Sequence, residues 1–319
     1  DPDYPVAPEI QEAMMDYVKD GYFSYTPKLG YPEFRDSISK ALMERKGEEI
    51  DPNLILPIDS AARGMYVIAQ TVLRQGDEMI VFDPVDYLFR ESCLAAGGKV
   101  VLFPAKLKDG YIDLSELENY ITPKTRMIGL CNPHNPVGNI WDADTLSRIG
   151  ELCRKHHVVV FSDEIHCDLT APGKEYIPFA SVSDVCAAIS VTAIAPTKAF
   201  NIAGLQTAAV MVPDPFLRHR MWRALNTDEV AEPNAFAVDV AVAAFEEGGE
   251  WLDALREYLQ ENKKAAAQFI QTEMPMITTG SLDVTYLMWL DCSQVTDDSE
   301  KLSVYLREKA GVYLSEGNI

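Results

Sequence analysis

The apolar positions of this chain follow two rhythms. Short continuous runs rich in β-branched and aromatic residues (LILPI, EMIVFDP, KVVLFPA, RMIGLCNP, VVVFSDEI, AAISVTAI) read as strands buried on both faces, and FNIAGLQTAAVMV returns to the same character. Between them AARGMYVIAQTVLRQG, LFRESCLAAGG, LSELENYI and DADTLSRIGELCRKH carry apolar residues at helical spacing. Strands alternating with helices of about 10–15 residues predict an α/β fold, a mostly parallel sheet with helices on both faces. Ahead of this region, prolines keep DPDYPVAP irregular. PEIQEAMMDYVKDG and PEFRDSISKALMERKG predict two helices, with Pro8 and Pro32 in their first turns and Gly21 and Gly47 at their stops. Beyond about residue 215 the pattern changes to long helices, FLRHRMWRALN, PNAFAVDVAVAAFEEGG and EWLDALREYLQENKKAAAQFIQTEM. SLDVTYLMWLDC and KLSVYLREKAGVYLSEG then read as strand, helix, strand, so a smaller α/β domain is expected.

Charge narrows the partners. Against 28 basic residues stand 49 acidic ones, a formal net charge of -21, which repels nucleic acid and anionic membrane surfaces. No stretch reaches about 18 uninterrupted apolar residues, so no membrane span is expected. The six cysteines show no CxxC spacing and several lie in apolar runs, as small buried hydrophobes of a reducing, cytoplasmic compartment do. The chain opens at Asp1 without a signal-peptide pattern.

Candidate chemistry collects where parallel strands end, the edge at which such sheets bind ligands. In APTKAFNIAGL, Lys198 sits at the mouth of a strand, either as a solvated loop cation or as an amine whose hydrophobic surroundings lower its pKa for attack on a carbonyl. In IDSAARG, Asp59 or Ser60 caps a helix whose first amides, those of Ala61 and Ala62, suit either a plain cap or a phosphate; the glycine-rich signature of nucleotide loops is missing. NPHNPVG fixes a tight loop that aims the Asn135 amide. In SDEIH, Asp163 closes a buried strand, where a carboxylate needs a cationic partner, and His166 follows three residues on. A metal is the first alternative there, but no spacing matches a known ligand set, and a protonated ring nitrogen suits Asp163 better. A phosphate cradle, an aimed amide, a buried carboxylate and a lysine together match the needs of pyridoxal phosphate, which joins lysine as a Schiff base and acts as an electron sink.

The order NPHNPVG, SDEIH, APTKAFNIAGL resembles the fold-type I pyridoxal-phosphate enzymes of the aminotransferase class I/II superfamily. Within them it is similar to the MalY/PatB group of cystathionine β-lyases, over almost the whole chain from DPDYPVAP to TYLMWLD. The resemblance implies a sheet of the seven-stranded type. It divides the chain into a large cofactor-binding domain over 28–220 and an N-terminal arm (1–27) joined with a small C-terminal domain (221–319). It implies that Lys198 carries the cofactor covalently, that Asp163 holds the pyridine nitrogen, that Asn135 with His166 bonds the ring hydroxyl oxygen, and that Ala61 and Ala62 donate to the phosphate. Tyr25 would reach the phosphate of the neighbouring subunit, which implies a homodimer. The family reads PVY where this chain reads PVDYLF, so either Tyr87 takes the ring-stacking role or Asp86 has changed the site. The family also continues past the region of SEGNI to an arginine that grips the substrate carboxylate, a position beyond Ile319.

The implied reaction is β-elimination from cystathionine or a related L-cysteine conjugate, giving thiol, pyruvate and ammonia. A class I/II aminotransferase is the alternative, because the two reactions share every step up to the carbanion. The altered PVDYLF loop also permits a non-catalytic regulator of the same fold.

Overall fold

The computed structural model describes residues 2–108, 111–227 and 232–317. Helices α1 (Pro8–Asp20) and α2 (Pro32–Lys46) lead to β1 (Ile55–Ile58) and α3 (Ala61–Val72). Next come β2 (Glu78–Asp83), α4 (Leu88–Ala95), β3 (Lys99–Pro104), the short paired strands β4 (Leu107–Lys108) and β5 (Tyr111–Ile112), and α5 (Leu117–Tyr120). Then follow β6 (Thr125–Cys131), α6 (Ala143–Lys155), β7 (Val159–Asp163), α7 (Asp184–Ile189), β8 (Ser190–Ile194) and β9 (Ala208–Met211). The last elements are α8 (Pro215–Thr227), α9 (Ala237–Glu246), α10 (Gly249–Glu273), β10 (Thr278–Thr279), β11 (Leu290–Asp291) and α11 (Ser299–Ala310).

Seven strands form one sheet in the order β1-β9-β8-β7-β6-β2-β3. Only β9 runs against its neighbours, so β1, β2, β6, β7 and β8 all deliver their carboxyl ends to one edge. Helices cover both faces because every strand is apolar on both. In β2, Met79 and Val81 enter one buried cluster with Met65, Ile68 and Phe89, while Ile80 and Phe82 enter another with Trp141 and Leu146. Packing at the first cluster leaves no room in β6, where a Cβ on Gly129 would run into the Phe89 ring of α4. The expected fold class holds.

Four segments differ from the sequence pattern. In AAISVTAI the first three residues belong to α7, because Ser183 caps a helix by accepting from the Cys186 N–H at 3.2 Å; the strand begins at Ser190. The helix expected over LSELENYI is one turn, Leu117–Tyr120. SLDVTYLMWLDC gives a strand only at Leu290–Asp291, since its partner β10 is two residues long and 280–287 take an irregular course. VYLSEG forms no strand over 312–317, because a strand needs a partner and none lies beside it among the described residues. The C-terminal Ile319 and the arginine expected beyond it lie outside the described residues.

Candidate functional site

β7 presents the first group. Its final residue, Asp163, is buried, and one carboxyl oxygen accepts from the Ile165 N–H at 3.3 Å. Burial pushes this carboxyl up to about 7; the charge of Asp86 pushes the same way, and that of Lys198 pulls it back. His166 follows on the turn into a 3-10 helix, Cys167–Leu169. Burial, and then the Lys198 charge, drives its imidazole down to about 3, so the ring is neutral at physiological pH. Its centroid lies 5.7 Å from that of Tyr286.

The loop after β6 is held from several sides. The Asn132 N–H donates to the Asp163 carbonyl at 2.9 Å, and the His134 N–H to the Asn139 carbonyl at 2.9 Å. The His134 Nε2 lies 2.9 Å from the Pro84 carbonyl, which ties this loop to the one after β2. Asn135 is tied to the same edge by its N–H, which donates to the Cys131 Sγ at 3.5 Å, Cys131 standing opposite Asp163 in the sheet.

Lys198 stands in the turn after β8. The Phe200 N–H donates to the Pro196 carbonyl and the Ile202 N–H to the Thr197 carbonyl, both at 3.0 Å. The hydroxyl of Tyr4 donates to the main-chain oxygen of Lys198 at 3.0 Å, and the Asn201 amide donates to the Tyr4 carbonyl at 2.7 Å. The half-buried lysine is close enough for its charge to be felt at both Asp163 and His166.

After β1, α3 begins at Ala61. The Ser60 hydroxyl accepts from the Arg63 N–H at 3.2 Å, and the amides of Ala61 and Ala62 lie in the first turn, where an α-helix offers no carbonyl partner. Asp59 pairs with Arg63 at 3.5 Å.

The remaining expected residues sit differently. Asp86 accepts from the Leu88 N–H at 2.9 Å, and its charge raises both Asp163 and Tyr286; Tyr87 stands at the start of α4 with its side chain 49% exposed. Tyr25 is 92% exposed.

Three residues that the sequence did not single out lie at this site or beside it. Tyr4, ahead of α1, reaches the Lys198 main chain, Tyr286, between β10 and β11, lies against His166, and both also line a cavity of about 720 Å³ with Trp251 and Leu255. Glu164, next to Asp163, serves a different neighbourhood. It accepts from the Ser162 hydroxyl at 2.7 Å, the Phe179 N–H at 3.0 Å, the Asn132 amide at 3.4 Å and the Tyr176 hydroxyl. Burial, with the Glu48 charge adding to it, pushes Glu164 up to about 8. Its position inside SDEIH was the only signal for it.

Buried polar atoms normally find partners. Here the Asn135 Oδ1 and the His166 Nδ1 have no hydrogen-bond partner among the described residues, and Asp163, three residues before His166, feels the Lys198 charge as that ring does. The set fits the pyridoxal phosphate expected from sequence: a protonated ring nitrogen suits Asp163, a ring hydroxyl Asn135, a phosphate the first turn of α3, and an aldehyde Lys198. No group of three or more metal-ligating side chains occurs among the described residues.

The family model for aminotransferase class I and II matches residues 1–319. Cystathionine beta-lyase PatB of Bacillus subtilis (strain 168) is 36% identical over 315 residues, which cover 98% of this chain and 81% of that protein. Protein MalY of Escherichia coli (strain K12) is 28% identical over 327 residues, 99% of this chain and 81% of that one. Among solved structures, cystalysin from Treponema denticola, which contains a pyridoxal 5'-phosphate cofactor, superposes with a TM-score of 0.93 at 26% identity, covering 98% of this chain and 79% of that chain. N-Succinyldiaminopimelate aminotransferase from Mycobacterium tuberculosis gives a TM-score of 0.89 at 25% identity, covering 98% and 81%.

Proposed function

Because the chain belongs to the class I and II aminotransferase family, we propose that it is a pyridoxal-phosphate-dependent carbon–sulfur β-lyase. It cleaves cystathionine or a related L-cysteine conjugate to a thiol, pyruvate and ammonia. The observation that carries this reading is the gathering of Asp163, Asn135, His166 and Lys198 at one sheet edge, two of them with unpartnered polar atoms, in a chain 36% identical to a cystathionine β-lyase.

When bound, pyridoxal phosphate supplies an electron sink for charge left at the substrate Cα. Asp163 keeps the proton at the ring nitrogen: a carboxyl pushed up to about 7 by burial gains a cationic partner there, and each raises the charged form of the other. Lys198 would hold the cofactor covalently, and its Nζ, once free, would be the base for the Cα proton. Asn135 orients the ring, and His166, neutral in its buried setting, adds a polar contact without a competing charge. The amides of Ala61 and Ala62 bind the phosphate with the positive end of α3. With that charge stabilised, the Cβ–S bond would break and its electron pair would leave with the thiolate.

The finer assignments are also proposals. The chain forms a homodimer in which Tyr25 reaches the partner's phosphate, a role supported by the exposed aromatic run Tyr22, Phe23, Tyr25 and Tyr31. Of the two neighbours in PVDYLF, Tyr87 is the ring-stacking candidate by position and Asp86 the one whose charge reaches Asp163. The protein works in the cytoplasm, in keeping with its free cysteines.

The aminotransferase likeness at a TM-score of 0.89 favours a second reading, amino transfer to a keto acid. The purified protein with added pyridoxal phosphate is expected to show a visible absorbance band that Lys198→Ala abolishes and to release thiol from cystathionine. A protein that takes up no cofactor would refute both enzymatic readings.

A further inference from the structure

Helix α10 buries a lysine. Lys263 is 6% exposed, and its Nζ donates to the carbonyls of Val284 at 2.7 Å and Thr285 at 2.9 Å, with that of Leu282 at 3.5 Å. A buried ammonium is costly, and this one meets no carboxylate directly among the described residues; Asp283 acts on it through space and is itself paired with Lys174 at 3.0 Å. What the lysine holds is strained: Thr285, β-branched, has φ 62°, in the left-handed region such residues avoid.

The turn so held is wedged between the two loops that carry the site. On one side it meets the Asn135 loop through a pair of glycines. A Cβ on Gly138 would stand 2.5 Å from the Ser281 carbonyl oxygen, and one on Gly280 would stand 2.7 Å from that of Val137. On the other side it meets the segment after His166, where the Thr285 N–H donates to the Leu169 carbonyl at 3.2 Å and the Ala171 N–H to the Asp283 carbonyl at 2.8 Å. The next residue, Tyr286, lies against the His166 ring. One helical face further up α10, seven residues before Lys263, Arg256 Nε donates to the Thr170 carbonyl at 2.6 Å. Two cations on one face of α10 therefore hold backbone oxygens of the turn itself and of the segment after His166 beside it.

We propose that Lys263 is a positioning residue of the cofactor site: by pinning the turn 280–286 to α10, it sets the Asn135 loop and the Tyr286–His166 pair at their working separation. This rests on the reading of the site as a pyridoxal-phosphate site. A lysine that served the fold alone would change stability and leave cofactor affinity untouched once the protein is folded.

The test compares wild type, Lys263→Met, Lys263→Arg and Gly280→Ala for fold by circular dichroism, for pyridoxal phosphate affinity by titration, and for kcat and KM with cystathionine. Folded Lys263→Met is expected to bind the cofactor on the order of tenfold more weakly and to lose kcat more than KM. Lys263→Arg restores most of the affinity. Gly280→Ala, which pushes the wedge off the Val137 carbonyl while leaving α10 intact, reproduces the loss. Wild-type affinity in folded Lys263→Met overturns the proposal. If that variant does not fold, wild-type affinity in Gly280→Ala overturns it. Failure of the wild type to bind pyridoxal phosphate would instead refute the function from which the proposal starts.

Discussion

The hydroxyl of Tyr4 and the main-chain oxygen of Lys198 are hydrogen-bonded at 3.0 Å across 194 positions of the chain. The N-terminal arm is thus part of the lysine's support, reinforced by the Asn201 amide on the Tyr4 carbonyl. Tyr4→Phe removes one bond and keeps the ring. It is expected to cost about 1 kcal/mol, read from urea midpoints, and to weaken cofactor uptake in the same sample.

Asp163 makes stability depend on pH in a particular window. Its carboxyl is raised from 3.8 to about 7, so between about pH 4 and 7 the unfolded chain sheds a proton that the folded, cofactor-free chain keeps. Stability therefore falls as pH rises through that window, by at most about 4 kcal/mol from this group, and levels off above it. Glu48 and Glu164, raised to about 7 and about 8, act in the same direction. Asp163→Asn should flatten the profile by its share, measured as the difference in unfolding free energy between pH 5 and pH 8.

Asp86 acts on Asp163 by like charge. Asp86→Asn should move the Asp163-dependent part of that profile to lower pH. A profile that does not move would mean that Asp86 lies too far from the site to shape it.

Much of the fold was legible because strands buried on both faces read as continuous apolar runs, and the helices between them carry their own stops, such as Gly47 after α2. Lys198, Asp163, Asn135 and His166 were legible because each breaks an apolar or proline-fixed stretch with a polar group that packing would not choose. Tyr4, Tyr286 and Lys263 were not, since their importance comes from contacts with distant segments, and nothing in DPDYP, VTYLM or QENKKAAA marks them. The order of Asp86 and Tyr87 gave no clue to which one reaches the site, because that depends on how the chain turns into α4. The small C-terminal part misled the pattern where 280–287 run irregularly, held by side chains rather than by a strand ladder.

Glu164 organises four donors around one buried carboxyl. Glu164→Ala strands them and is expected to destabilise the protein by about 3 kcal/mol or more, seen in urea unfolding.

Close packing of α4 on β6 gives a check on the fold itself. Gly129→Ala drives a methyl into the Phe89 ring and should cost about 1–3 kcal/mol without changing cofactor affinity.

The most direct test of the proposed activity is the balance of products from cystathionine, with pyridoxal phosphate present and no keto acid added. A β-lyase releases thiol and pyruvate in equal amounts under these conditions, and Lys198→Ala releases neither. Turnover that appears only when a keto acid is supplied, with its amination and no thiol, would contradict the account.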